Sequence, residues 1–244
     1  MQDKLLFIFE GASSEKEIMT SVTNHFTFNS SLVQCVFDAD IYQLYKLISA
    51  DEDLDTFTII KNRFNNKNIL DGYTRKDFAE IYLFFDYDGH DTFANDDSIS
   101  DLLRIFNQET ETGKLFISYP MVEAIKHLGE HVDFKNLKVK CKENIRYKKI
   151  AGEIAPHHLQ PLKRFTRVAW CEILNEHLRK MNFIVNDNFV LPVEYTSQDV
   201  IFQNQLDKYI NIDETVAVLS SFPIFLFDYY GFEKTSNFIN DNNN

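Results

Sequence analysis

The chain alternates between short, wholly apolar runs and stretches whose apolar residues recur at helical spacing. Leu5 to Phe9 (LLFIF) is apolar throughout, as expected of a strand buried on both faces of a parallel sheet. Glu10-Gly11 stops the run. Ser13-Ser14 then offers an N-cap, and Glu15 and Glu17 supply acids in the first turn of a predicted helix that reaches His25.

The same unit recurs downstream. Leu32 to Phe37 predicts a second strand, and Ile41, Leu44, Tyr45 and Ile48 predict a helix that begins near Asp40. Ile81 to Phe85 (IYLFF) predicts a third strand, which ends at Asp86-Tyr87-Asp88-Gly89. It leads into a helix capped by Ser98 and carrying Ile99, Leu102, Leu103 and Phe106. Leu115 to Ser118 (LFIS) predicts a fourth strand, stopped at Tyr119-Pro120.

Strands alternating with helices predict an α/β fold, with a central parallel sheet and helices on both faces. Ligands of such sheets collect at the carboxyl ends of the strands, where Glu10 and the Asp86/Asp88 pair both fall. Beyond residue 125 the pattern becomes mainly helical. Leu162 to Met181 is strongly amphipathic, another helix is expected near Asp199 to Ile210, and Val216 to Tyr230 is apolar almost throughout. The expected organisation is an α/β domain over 1–126, a mainly helical extension over 127–236 packed on the sheet, and a frayed Asn-rich tail over 237–244.

With 244 residues, 44% of them hydrophobic, the chain can bury a core without staples. Cys35, Cys141 and Cys171 are too few and too scattered for a disulfide framework or a metal pattern, which points to a reducing interior. No apolar run approaches the roughly 18 residues of a membrane span, and no secretory cleavage pattern is visible. A cytoplasmic protein with no membrane association is the expectation.

The net charge of −12 argues against indiscriminate nucleic-acid binding, but the charge is unevenly spread. Between Lys138 and Lys180 eleven Lys and Arg face four acids, a local +7. Lys138, Lys140, Lys142, Arg146, Lys148, Lys149, Lys163, Arg164 and Arg167 are the candidates for contacts to a nucleic-acid backbone.

The acids suggest chemistry of their own. Buried apolar strands seldom end in two close carboxylates unless something cationic offsets their repulsion. Asp86 and Asp88 lie two apart and converge only where the strand opens, and Glu10 on a neighbouring strand is the candidate third oxygen ligand for a divalent cation such as Mg²⁺. Asp91, Asp96 and Asp97 do not match a calcium loop and read as solvated loop acids, as do Asp38 and Asp40. His157-His158 reads as surface. Neither a Gly-x-Ser-x-Gly turn nor a GxxxxGK[ST] loop is present.

At these residues the chain resembles the toprim family. Leu6-Phe7-Ile8-Phe9-Glu10-Gly11 with Glu15 resembles the first toprim motif, and Leu83-Phe84-Phe85-Asp86-Tyr87-Asp88 resembles the second. Glu10-Gly11-Ala12-Ser13-Ser14-Glu15 together with Ser118-Tyr119-Pro120-Met121-Val122-Glu123 is similar to the RloB and abortive-infection branch, related to OLD-type nucleases. The resemblance covers residues 4–126. Ser14 stands where the first motif often has Asp or Thr, and an insertion, placed at Asp51 to Tyr73, has to be assumed between the motifs.

The resemblance implies a Rossmann-like toprim fold with Mg²⁺ (or Mn²⁺) held by Glu10, Asp86 and Asp88 and assisted by Glu123. Gly11, Glu15 and His90 would lie behind or beside them. It implies hydrolysis of nucleic-acid phosphodiester bonds, RNA (tRNA) preferred over DNA, by the toxic effector of an anti-phage system with an ABC-type ATPase partner; a homo-oligomer is left open. Two alternatives stand beside it. One is a non-catalytic toprim-fold interaction module, and the other a haloacid-dehalogenase-like phosphatase using Asp86 and Asp88, in which His90 stands at the usual Thr position.

Overall fold

The computed structural model describes residues 4–50, 55–129 and 131–241. Strands β1 (Lys4–Phe9), β2 (Ser31–Val36), β3 (Phe78–Asp86), the short β4 (Asn107–Gln108) and β5 (Gly113–Ser118) form one sheet in the order β2-β1-β3-β5-β4. All pairs are parallel except β4 with β5. The protein is therefore a mixed α/β fold around a mostly parallel sheet. Chain order runs outward from β1 to β2 on one side and to β3 and β5 on the other, so the direction of winding reverses between β1 and β3. In open α/β sheets ligands bind where the order reverses in this way, at the carboxyl ends of the strands.

Period-two alternation sorts the sheet residues onto its two faces. Phe7, Tyr82, Phe84 and Phe116 meet Phe225, with ring centroids 4.9–5.6 Å apart. Phe225 belongs to α9 (Ser221–Asn240), so residues beyond 126 supply a helical layer directly on the sheet. Helix α1 (Ser14–His25) packs with α6 (Arg167–Asn186) and α9: Trp170 lies edge-on to Phe26 and donates its indole N–H to Ser21 Oγ at 2.9 Å. Helices α2 (Ile41–Ala50) and α4 (Asp96–Ile105) pack together, tied by Tyr45 Oη to Asp101 at 3.1 Å.

Several predicted boundaries shift for identifiable reasons. The cap of α4 is Asn95, whose Oδ1 accepts the Asp97 and Ser98 amides, in place of Ser98. Ser13 caps α1 only by position and makes no side-chain bond. The helix expected from Leu162 begins at Arg167, because Thr166 Oγ1 accepts the Ala169 amide at 3.2 Å and Leu162–Arg164 forms a separate turn.

Of the expected insertion, residues 51–54 lie outside the described residues. The rest forms α3 (Thr56–Lys61) and a turn whose buried Asn66 bonds Val36 N and O, occupying the open edge of β2.

The C-terminal part contains more than helices. After α5 (Tyr147–Ile154) and α6, α7 (Gln198–Gln205) runs through a π-helical turn at Leu206–Ile210 into the short α8 (Asn211–Asp213). Strands β6 (Lys138–Lys140) and β7 (Thr215–Ala217) pair antiparallel. Neither was legible: β6 is a three-residue basic stretch, and β7 begins a long apolar run with no period of its own. The tail expected to fray at residue 237 is helical to Asn240, because Phe238 stacks on Phe26 at 4.5 Å and lies beneath the Arg167 guanidinium. Residues 242–244 lie outside the described residues. Gly231, with φ 74 and ψ 175, breaks α9 in a conformation open to glycine. No helix among the described residues is long and apolar enough to cross a membrane.

Candidate functional site

The carboxyl ends of β1 and β3 bring the two acidic motifs together. Glu10 continues the ladder beyond β1 by donating its amide to Phe84 O, and its Oε2 accepts the Asp86 N–H at 2.9 Å. Asp86, the last residue of β3, is buried. Glu15, in the first turn of α1, is buried as well and accepts the Gly11 amide at 3.1 Å, which closes the loop after Glu10. A Cβ on Gly11 would come within 3.4 Å of that carboxylate.

Asp88 turns off the end of β3 with φ 38, a left-handed conformation that Asp tolerates better than most residues. Its buried Oδ1 has no hydrogen-bond partner, and His90 Nδ1 is 3.9 Å away. Glu123, on the turn Val122–Lys126 after β5, is 2% exposed and accepts from Ser14 Oγ at 3.3 Å. Its other partner is the Lys148 ammonium at 3.2 Å.

Charge is poorly balanced among these groups. Burial first, then Asp88, Glu15 and Asp40, pushes the Glu10 carboxyl well above the usual range, against the pull of the Asp86 amide. Burial and then Glu10, Glu15, Asp88 and Glu123 do the same to Asp86. Asp88 is raised by burial and by Asp91, Asp40 and Glu123, with His90 opposing. Glu15 is raised by burial and by Glu123, with the Gly11 amide and Lys148 opposing.

Repulsion of this kind is relieved by protons or by a cation. The donors are all oxygens, as a hard divalent ion requires, and Asp88 Oδ1 is a buried acceptor without a donor, so the residues fit such an ion. No group of three or more His, Cys, Asp or Glu among the described residues is already arranged as a coordination shell.

Beside Asp88 a cleft of about 450 Å³ opens between the Asp88–His90 turn, Pro120-Met121 and the segment 140–149. Lys140, Arg146, Lys148 and Lys149 line it, Lys140 with its ammonium on Asp213 O at 2.7 Å and Lys149 beside Glu153 at 3.7 Å, so part of the basic stretch read from the sequence borders the acids. The rest has other occupations. Lys138 pairs with Asp213 at the end of α8, and Lys142 bonds Asp96 at 2.8 Å and Tyr87 Oη at 3.0 Å. Lys163 and Arg164 stand on the turn beside the far half of α1, just before Phe165, whose carbonyl bonds Ser21 and His25. Arg167 donates to Phe238 O and covers that ring. His158 pairs with Glu172 on the surface.

Three residues at the site escaped the sequence. Ser14, read as a cap, holds Glu123 instead. Asp96, read as a solvated loop acid, accepts from the hydroxyl of fully buried Tyr87 at 2.5 Å and pairs with Lys142. A buried tyrosine needs such a partner, and nothing local in the sequence shows that Tyr87 points inward. Tyr147 is buried beside Glu123 and Asp86 and bonds His127 Nδ1 at 2.9 Å. Its place in the basic stretch concealed that role.

Set against family models, curated proteins and solved structures, the chain matches none of them.

Proposed function

We propose that this protein is a toprim-type nuclease that hydrolyses phosphodiester bonds with the help of Mg²⁺ or Mn²⁺, RNA being preferred over DNA. The observation that carries it is the bond between Glu10 Oε2 and the Asp86 amide, which joins the acids of both motifs at the point where the strand order reverses. The preference for RNA, the antiviral setting and an ABC-type ATPase partner rest on the family resemblance alone.

Glu10, Asp86 and Asp88 would hold the ion, with Glu123 assisting. When bound, a divalent cation neutralises charge on the phosphate and makes a coordinated water more acidic. The chain's own side chains do the rest. Lys148, already against Glu123, and Arg146 and Lys149 bind the phosphate backbone along the cleft, while Lys140 is held by Asp213 O. Glu15 fixes the Gly11 loop and so holds Glu10 in place. His90, at the cleft beside Asp88, can hand a proton to the leaving oxygen.

The test is incubation of the purified protein with labelled tRNA, single-stranded RNA and duplex DNA in Mg²⁺ or Mn²⁺, with Glu10→Ala alongside. Cleavage that disappears in Glu10→Ala, while its circular dichroism stays unchanged, is expected. Cleavage that persists in that variant excludes the assignment.

A further inference from the structure

A second cleft, of about 560 Å³, lies between α2 and the loop leading into α4 and shares no lining residue with the basic one. Its size falls within the range of small-molecule sites, about 300–1,000 Å³. One bond ties its wall to the acidic turn: Tyr42, which lines it, donates its hydroxyl to Tyr87 O, between Asp86 and Asp88, at 2.8 Å. In a chain of net charge −12, none of its lining residues is an acid, while Lys46 and Arg63 are cationic. Arg63 lies 3.9 Å over the Phe37 ring, and its buried Nε has no hydrogen-bond partner.

The rim of the cleft carries Phe93, 79% exposed. Its loop is braced back to the acidic turn, since the Phe93 amide donates to Asp91 Oδ1 at 2.7 Å and the Asp91 amide donates to Asp88 O at 3.0 Å. A large ring held in water by fixed backbone has given up apolar burial that a partner can restore. A π-face with two cations on the walls beside it suits an unstacked nucleobase and its phosphates: the base stacks on the ring, and the phosphates meet the guanidinium and ammonium.

We propose that this cleft takes one base of a single-stranded nucleic acid, stacked on Phe93, with the flanking phosphates on Arg63 and Lys46. The inference rests on the phosphodiester reading and deepens it, because it makes the substrate a single strand or loop. Bases of a continuous duplex are already stacked on one another and have no face to offer Phe93.

Fluorescence anisotropy on the full chain in Ca²⁺, with a labelled single-stranded RNA and a duplex of the same sequence, tests it. Phe93 is exposed, so its variants keep the fold. Phe93→Ala should weaken single-strand binding by about 5- to 150-fold, the range for loss of one stacked base, with duplex binding unchanged. Phe93→Trp should restore it, and Lys46→Ala should lower the salt dependence by about one phosphate contact. Single-strand binding by Phe93→Ala equal to wild type overturns the inference, as expected if the groove receives a protein instead, and so does equal loss for both oligonucleotides. If wild type and Phe93→Ala then cleave alike and cleavage still needs Glu10, the nuclease reading stands without this site; if nothing is bound or cleaved, both fall.

Discussion

Glu10 and Asp86, 76 positions apart, are joined by a single bond in which the Glu10 carboxylate accepts the Asp86 backbone amide at 2.9 Å. The amide fixes one carboxylate oxygen and turns the side chain toward Asp86 and Asp88. Four carboxyls of this cluster, those of Glu10, Asp86, Asp88 and Glu15, are raised by burial first and then by neighbouring acids, so what the arrangement lacks is positive charge. Lys148 supplies some of it, from a side chain that is 68% exposed.

Metal and pH should therefore act together. These carboxyls hold their protons more tightly folded than unfolded, so without metal the stability is full below the ordinary carboxylate pKa of about 4. It is lost as pH rises through the raised values. A divalent ion binds the ionised forms and reverses that loss, by about 2.7 kcal/mol at a hundredfold excess over its Kd. Thermal melts with and without Mn²⁺ should diverge progressively as the pH rises above the ordinary carboxylate value of about 4. Identical melts at every pH above that value would exclude a metal at these carboxylates.

Asp86→Asn should separate stability from activity. The amide removes a buried acid from among Glu10, Glu15, Asp88 and Glu123, and should stabilise the metal-free protein by about 0.5–2 kcal/mol at neutral pH. Cleavage should be lost. Urea unfolding in EDTA checks the first effect; a destabilised variant would show that the ionised Asp86 carboxylate supports the fold.

Lys148→Ala tests the link between the basic cleft and the acids. Loss of the ammonium leaves the buried Glu123 carboxylate without its cation, so a destabilisation of about 1–3 kcal/mol is expected alongside the effect on activity. Cleavage should fall about 10- to 100-fold if the ammonium stabilises charge on the phosphate, and Lys148→Arg should recover part of it. Unchanged kcat/KM in Lys148→Ala removes the residue from the mechanism.

Gly89→Ala probes the packing beneath the acidic turn. An added Cβ would sit 2.5 Å from Tyr87 Cε1 and 3.0 Å from Cys141 O. Tyr87 cannot swing aside, since Asp96 and Lys142 hold its hydroxyl and Phe202 and Tyr119 flank its ring. A loss of about 1–3 kcal/mol is expected in chemical denaturation. A neutral result would mean that the turn moves freely, contrary to the bracing described for it.

Much of the fold was legible because the sheet is buried on both faces. Such strands must be apolar throughout, so LLFIF, IYLFF and LFIS announce themselves, and an acid at the end of each of the first two marks the candidate site. Local sequence thus determined which segments are strands, their alternation with helices, and that Glu10, Asp86 and Asp88 stand at strand ends. Only the tertiary structure decided the strand order, which sets β1 beside β3 and allows Glu10 to reach the Asp86 amide. It also decided which cations face the acids: Lys148 turns to Glu123, while Lys142 and Arg167, from the same basic segment, serve Asp96 and Phe238. Strand formation follows from residues a few positions apart, but a side chain's partner is fixed by packing between elements far apart in the chain, and no local pattern encodes that.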